Sequence, residues 1–215
     1  MRYGESVFDI LYLVFAICSG IVILKKARNR PQKLMGLSAV ILGLGDSFHL
    51  IPRVLNYFVD ADFTAALGIG KLVTSLTMTV FYILLYYVYI GYYEVKENKK
   101  LTILLFVLLA FRFILCFLPQ NGWLQNSSDT LFGIIRNIPF VIIGGIMVLL
   151  FFKHRKEKRT FKNVWIYILL SFLFYIPVAV AAGLLPILGM LMLPKTICYI
   201  LLIVAFIKEV KTEKI

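Results

Sequence analysis

Long runs of apolar residues, separated by short polar breaks, extend along the whole chain. A helix needs about 20 such residues to cross a hydrocarbon core of about 30 Å. Seven runs reach or approach this length, at 6–25, 34–57, 68–93, 101–118, 131–152, 163–182 and 186–207. The longest hydrophilic stretch between them, KHRKEKRTFK, has the length of an ordinary helix connection. The pattern predicts one all-α transmembrane domain of seven helices over residues 1–215.

Composition and charge narrow the class of partner. Of the 215 residues, 61% are hydrophobic, whereas ordinary soluble domains have about 45–50%. The formal net charge of +12 raises the question of a nucleic-acid partner. However, the basic residues follow the ends of the apolar runs rather than one soluble face. We therefore expect membrane lipids, and no nucleic acid, as partners; nothing in the sequence indicates an oligomeric state.

The distribution of basic residues predicts how the chain crosses the membrane. Seventeen of the 23 Lys and Arg residues lie on alternate connections and the C-terminal tail: Lys25, Lys26, Arg28, Arg30, Lys33, Lys96, Lys99, Lys100, Lys153, Arg155, Lys156, Lys158, Arg159, Lys162, Lys208, Lys211 and Lys214. Cytoplasmic connections are enriched in these residues. We expect a multi-pass protein of the cell (plasma) membrane with its N-terminus outside and its C-terminus in the cytoplasm. The stretch YYVYIGYY at 86–93 is typical of an interfacial aromatic belt on the cytoplasmic side.

Eight ionisable residues fall within or at the edge of the apolar runs: Asp9, Asp46, His49, Arg53, Lys71, Arg112, Arg136 and Lys195. A charge at the centre of a membrane helix costs about 2.5–3.5 kcal/mol, so such residues usually face the bundle interior or a wet cavity. All eight lie in the middle or the outer part of their spans. Asp46, His49 and Arg53 have the spacing i, i+3 and i+7, which puts them in one stripe on the second helix. The sequence predicts an outward-facing polar pocket.

The charges of this pocket predict an anionic ligand. The cations exceed the acids, and a site of low dielectric constant does not tolerate an unpaired excess. Either Lys195 is neutral, or an anion such as a phospholipid phosphate completes the site. The predicted ligand-binding residues are Arg53, Lys71, Arg112, Arg136 and Lys195. Two alternatives stay open: Arg53 and Lys71 reach toward lipid headgroups, and Asp46 with Lys195 forms a structural ion pair.

The same residues restrict the possible chemistry. The two histidines, His49 and His154, are far apart, and no His, Cys and carboxylate cluster has the spacing of metal ligands, so we expect no metal and no cofactor. Ser47 lies beside Asp46 and His49 on one helix and cannot build a Ser-His-Asp triad with them. General acid–base catalysis by Asp46, with His49 as its partner, remains.

The stretch LGLGDSFHLIPR (Leu42–Arg53) resembles the "LLGD…LLP" helix of the bacterial lysoplasmalogenase-like (YhhN) membrane family. The following ALGIGKLVTSLTMTVFYILL is similar to the next helix of that family. The resemblance covers Leu42 to Tyr93 and is carried by Gly45, Asp46 and Pro52. It implies that Asp46 corresponds to an aspartate implicated in cleaving the vinyl ether of lysoplasmalogens. Protonation of the enol-ether carbon would create an oxocarbenium ion that water captures.

Two further functions stay open beside a lipid hydrolase. A transporter or binding protein for an anion or a lipid would need the same pocket. A retinal-type receptor is favoured by seven spans, by Lys195 in the middle of the last one and by FLFYIP at 172–177. In that case Asp46 would have to act as the counterion, because the third helix offers Thr74 and Ser75 instead of a carboxylate.

The orientation can be tested with reporter fusions. Reporters placed after Asn29 and after Lys156 should be cytoplasmic, because Lys and Arg are concentrated in those connections. A reporter after Asn126 should be external. An external reporter after Lys156 would contradict the orientation and, with it, the placement of the charged residues in the outer part of the bundle.

Overall fold

The computed structural model describes residues 2–127, 130–181 and 185–212. Over these residues all regular secondary structure is helical. The eight α-helices are α1 (Arg2–Lys26), α2 (Arg30–Phe58), α3 (Thr64–Tyr93), α4 (Lys99–Phe117), α5 (Thr130–Ile135), α6 (Ile138–Lys153), α7 (Val164–Ala181) and α8 (Met192–Thr212). Two 3-10 segments, Pro119–Asn121 and Pro186–Leu191, lie between them.

Polar residues in the short connections mark where helices begin. The side chain of Asn29 caps α2 by accepting a hydrogen bond from the backbone N–H of Gln32 at 3.0 Å. Asn98 caps α4 by accepting from the backbone N–H groups of Lys100 and Leu101 at 3.1 and 3.3 Å. Both asparagines satisfy donors that the first turn of a helix leaves without a partner.

The prediction of an all-α, multi-pass protein is confirmed in its coarse form. Six helical stretches are long and apolar enough to cross a membrane: Arg2–Lys26, Arg30–Phe58, Thr64–Tyr93, Lys99–Phe117, Leu131–Lys153 and Ile187–Thr212. A seventh apolar helix, Val164–Val180, is shorter. It corresponds to the predicted span 163–182, whose last residue lies outside the described part of the chain.

Two of the predicted spans are not single regular helices. The run 131–152 is interrupted between α5 and α6, where the Asn137 side chain donates to the carbonyl of Gly133 at 2.9 Å. Pro139 follows in the first turn of α6, a position that suits proline because an N–H there would have no partner inside the helix. The run 186–207 begins with the 3-10 segment Pro186–Leu191 before α8. Irregular backbone at membrane depth is typical of residues that line a cavity.

Helix α3 lies at the centre of the bundle. It packs against α2, α4 and α6, while α1 packs against α2 and α8, and α7 joins α6 to α8. Its core is aromatic: Tyr82 makes edge-to-face contacts with Phe81 and Phe140. Its hydroxyl lies 3.4 Å from Ser171 Oγ and 3.3 Å from Tyr199 Oη. Such contacts fix the positions of α7 and α8 relative to α3.

The tyrosines at the end of α3 do not form the predicted lipid-facing belt. Tyr86, Tyr89, Tyr92 and Tyr93 are all buried. The hydroxyl of Tyr89 lies 2.7 Å from His154 Nδ1 at the end of α6. The prediction was wrong because tyrosine is equally suited to a headgroup region and to a core that offers its hydroxyl a partner.

Helices α2 and α3 meet at a small residue. A Cβ placed on Gly70 of α3 would lie 2.7 Å from the Cα of His49 and would also contact the Phe48 carbonyl. These are backbone atoms and have no alternative rotamer. The absence of a side chain at Gly70 therefore allows the close approach of α3 to the part of α2 that carries Asp46 and His49.

We expect Gly70→Ala to destabilise the protein by about 1–3 kcal/mol, the usual cost of overpacking. Gly145 in α6 is a matched control, since a Cβ there meets nothing within 4 Å. Gly145→Ala should be neutral or slightly stabilising, because alanine loses less backbone entropy in a helix. Thermal unfolding in detergent compares the two variants. Equal melting temperatures for both would contradict the close contact of α2 with α3.

Candidate functional site

A small cavity lies between α2, α3, α4, α6, α7 and α8. Its volume is about 130 Å³. The lining residues are His49, Lys71, Thr74, Ser75, Met78, Arg112, Arg136, Phe140, Tyr175 and Lys195. Five of these, His49, Lys71, Arg112, Arg136 and Lys195, belong to the predicted site. The structure therefore brings together residues that are up to 146 positions apart in the sequence.

Arg112 is the most buried charged residue of the cavity, with 1% of its surface exposed. Its guanidinium carbon lies 3.8 Å from the centre of the Phe140 ring, and Nη2 donates to Asn137 Oδ1 at 3.3 Å. Nε and Nη1 have no hydrogen-bond partner among the described residues. No carboxylate oxygen of these residues lies within 4.0 Å of the guanidinium. Arg112 therefore has donors to offer a ligand.

Arg136 and Lys71 lie at the end of the cavity nearest the α4–α5 connection and are held by amides. Arg136 Nη1 donates to Asn121 Oδ1 at 2.6 Å, and its guanidinium lies over the ring of Trp123 at 4.4 Å. Lys71 Nζ donates to Asn126 Oδ1 at 2.7 Å. Neutral amides position these cations without cancelling their charge. Both cations therefore keep their full attraction for an anion.

Lys195 reaches the cavity from the first turn of α8. Its ammonium lies 4.8 Å from the centre of the Tyr175 ring and 5.7 Å from that of Tyr199. Asp46 is the acid that interacts electrostatically with it, but within the described residues no carboxylate is in salt-bridge contact with Nζ. Asp46 and Lys195, which the sequence alternatively predicts to form a structural ion pair, therefore interact over a distance longer than a direct salt bridge.

His49 lies in the wall of the cavity on α2. Its Nδ1 is buried and has no hydrogen-bond partner among the described residues. An imidazole nitrogen in this position can donate to an anion when it carries a proton, or accept from a ligand hydroxyl when it does not. His49 therefore has one ring nitrogen, Nδ1, that no described residue engages.

Asp46 and Arg53 do not line the cavity. Asp46 Oδ2 accepts a hydrogen bond from the hydroxyl of Tyr12 at 2.6 Å. Arg53 forms an ion pair with Glu5, whose other oxygen accepts from Tyr57 at 3.1 Å. We call this cluster the α1–α2 seam; its residues are Glu5, Asp9, Tyr12, Asp46, Arg53 and Tyr57. The predicted role of Arg53 as a ligand for an anion finds no support in this placement.

Helix geometry explains why the predicted stripe divides. At 3.6 residues per turn, Asp46 and Arg53 are only about 20° apart around α2, whereas His49 is about 60° from Asp46. The first two face α1, and His49 faces α3. The acids Glu5, Asp9 and Asp46 therefore lie in the seam, and the cavity is lined by four cations and no carboxylate of the described residues.

Several residues of the site are not predicted from the sequence. Asn137 binds both Arg112 and Tyr175, whose hydroxyl donates to Asn137 Oδ1 at 2.7 Å. Asn121 binds Arg136, as described above. The signal for Asn137 is its position as a polar residue within an apolar run, two residues before Pro139. A break in a membrane helix at such a place often lines a cavity. Asn121 has no comparable signal, because it lies in an ordinary polar connection.

The hydrogen bond between Tyr12 and Asp46 can be measured by a double-mutant cycle of Tyr12→Phe and Asp46→Leu, since leucine has a similar shape and no acceptor. We expect a coupling free energy of about 1.5–3 kcal/mol, the usual value for a hydrogen bond to a charged group. A cycle of Tyr86→Phe and Thr102→Val, whose hydroxyls lie 3.0 Å apart, is the neutral control and should give about 0.6 kcal/mol. A coupling no larger than the control would contradict a strong hydrogen bond between Tyr12 and Asp46.

Comparisons with known proteins do not assign the chain to a family. No family model matches it, and no curated protein and no solved structure is significantly similar to it. The resemblance of Leu42–Arg53 to lysoplasmalogenase-like proteins therefore stays a prediction. The function has to be argued from the cavity and its charges.

Proposed function

We propose that the cavity binds the anionic head of a membrane amphiphile. The guanidinium of Arg112 would donate hydrogen bonds to the phosphate or carboxylate of this head. The observation that carries this proposal is the buried guanidinium, two of whose donor nitrogens have no hydrogen-bond partner among the described residues. Leaving a buried charged group without partners costs several kcal/mol, so an anion that supplies them gains that free energy on binding. Arg136, Lys71 and Lys195 surround the same space and add attraction.

The size of the cavity supports a head rather than a whole ligand. Pockets that enclose a drug-sized molecule have about 300–1,000 Å³, compared with about 130 Å³ here. A phosphate with part of its glycerol fits this volume, and the acyl chain would then lie between helices in the bilayer. A retinal bound to Lys195 would need more room than the cavity offers, which argues against the receptor alternative.

The orientation and the membrane belong to the same proposal. The N-terminus lies outside and the C-terminus in the cytoplasm, according to the basic connections. The cavity then opens toward the outer leaflet of the cell membrane. Its ligands would be lipids or free amphiphiles of that leaflet. The seventh crossing is made by α7, whose short apolar length requires local thinning of the bilayer or contact with neighbouring helices.

A second candidate function, lipid hydrolysis, is favoured by His49. His49 lines the cavity that would hold the head, and its Nδ1 has no hydrogen-bond partner among the described residues. Asp46 is one turn away on α2, but it is hydrogen-bonded to Tyr12. Protonation of a vinyl ether by Asp46 would therefore require this carboxyl group to turn from the seam toward the cavity. The binding proposal needs no such rearrangement.

Binding can be tested with lysophosphatidate and with the uncharged monoacylglycerol of the same chain length. Wild-type protein should bind lysophosphatidate more tightly, and Arg112→Met should weaken this binding by about 10- to 100-fold, the value of a charged hydrogen bond. The same variant should raise the melting temperature of the ligand-free protein, because it removes a buried charge without a carboxylate. Fluorescence or calorimetric titration and thermal unfolding give the two readouts.

Arg53→Gln is the matched control, since Arg53 lies in the α1–α2 seam and not in the cavity. It should leave lysophosphatidate affinity unchanged. A lower melting temperature for Arg112→Met with unchanged affinity would show that Arg112 is structural. Incubation with a vinyl-ether lysophospholipid tests the second candidate: release of a long-chain aldehyde that falls by about 10²–10⁴-fold in Asp46→Asn would favour hydrolysis.

A further inference from the structure

A second cavity lies at the opposite end of the bundle, between the α6–α7 connection and the C-terminal half of α8. Its volume is about 600 Å³, several times that of the first cavity. The lining residues are Arg159, Thr160, Lys162, Asn163, Tyr167, Leu201, Val204, Ala205, Lys208, Lys211 and Thr212. We refer to it as the basic cavity. It shares no residue with the site that surrounds Arg112.

The four cations of the basic cavity are arranged on two elements. Arg159 and Lys162 come from the connection that precedes α7, and Lys208 and Lys211 come from one face of α8 at the spacing i, i+3. All four side chains are exposed. Among the described residues, no carboxylate lies within 4.0 Å of any of them and none lines the cavity. Their charges are therefore free to act on a ligand.

The remaining lining residues make the cavity amphipathic. Leu201, Val204 and Ala205 lie deeper in the bundle on α8 than the two lysines. At 1.5 Å per residue, Leu201 and Lys211 are about 15 Å apart along the helix. Tyr167 lies in the first turn of α7, and its ring and hydroxyl suit the level of lipid headgroups. The cavity is thus charged near the C-terminal end of α8 and apolar toward the middle of the bundle.

We propose that the basic cavity binds the headgroup of an anionic phospholipid, with its phosphates between the two pairs of cations and its acyl chains along α8. Basic pockets between membrane helices are suited to such headgroups. A lipid with two phosphates fits better than one with a single phosphate, because two separated pairs of cations are present. Thr160 and Asn163 supply hydrogen-bonding groups beside the charges.

Lipid titrations of the full chain in detergent test this proposal. Cardiolipin should raise the melting temperature saturably, phosphatidylglycerol less so, and phosphatidylcholine not at all. The double variant Arg159→Gln with Lys208→Gln removes one cation from each pair and should lower the cardiolipin affinity by roughly 30-fold, because each basic residue near a lipid surface contributes about fivefold. Both residues are exposed, so the melting temperature in phosphatidylcholine should stay that of the wild type.

The control is the double variant Lys99→Gln with Lys100→Gln, in the first turn of α4 and outside the cavity. It removes the same charge from the same side of the bundle and should keep wild-type cardiolipin affinity. Equal losses in the two double variants would overturn the proposal in favour of diffuse attraction by the whole basic side. Equal protection by soluble glycerol phosphate would also overturn it, since the ligand would then be a free anion. Absence of any cardiolipin effect would overturn it as well.

Discussion

The guanidinium of Arg112 is the constraint on which the arrangement of the cavity around it depends. It is buried at 1% exposure in a region where a charge is expensive, and its neighbours are an aromatic ring and an amide. Neither neighbour carries a negative charge. Arg136 and Lys195 add to the positive potential instead of reducing it. The protein therefore keeps several cations close to each other with only neutral contacts around Arg112. A bound anion would reduce the unfavourable free energy of these buried positive charges.

The α1–α2 seam is the counterpart of this cavity. It contains Glu5, which forms an ion pair with Arg53, and Asp46, which accepts a hydrogen bond from Tyr12. Helix α2 therefore separates these acids from the cations that line the cavity. Asp46 reaches Lys195 only as a longer-range electrostatic partner. If the acids lay in the cavity, they would neutralise its cations and occupy the donors. The rotation of about 60° between Asp46 and His49 around α2 therefore matters more for binding than their proximity in the sequence.

Much of the fold could be predicted from the sequence, because apolar runs and basic connections are properties of single helices. The sequence also predicted that several ionisable residues share one cavity, namely His49, Lys71, Arg112, Arg136 and Lys195. Ionisable residues of membrane helices usually face the bundle interior, which leaves few positions for them. The partners of Asp46 and Arg53 could not be predicted. They depend on which side chains of α1 face α2, and the packing between these helices determines that. The buried tyrosines of α3 were missed for the same reason.

The two cavities differ in the exposure of their cations to water. This difference determines how strongly salt would weaken the binding of an anion in each cavity. The cations of the basic cavity are exposed and act through a screened field, with a Debye length of about 8 Å at physiological ionic strength. Their attraction for a headgroup falls as salt rises. Arg112 is enclosed by protein, so salt screens it far less. Under the two proposals, an anion beside Arg112 is selected by buried hydrogen-bond donors, whereas a lipid in the basic cavity is held mainly by charge. The first arrangement suits recognition of a specific head, and the second suits anchoring the bundle in an anionic leaflet.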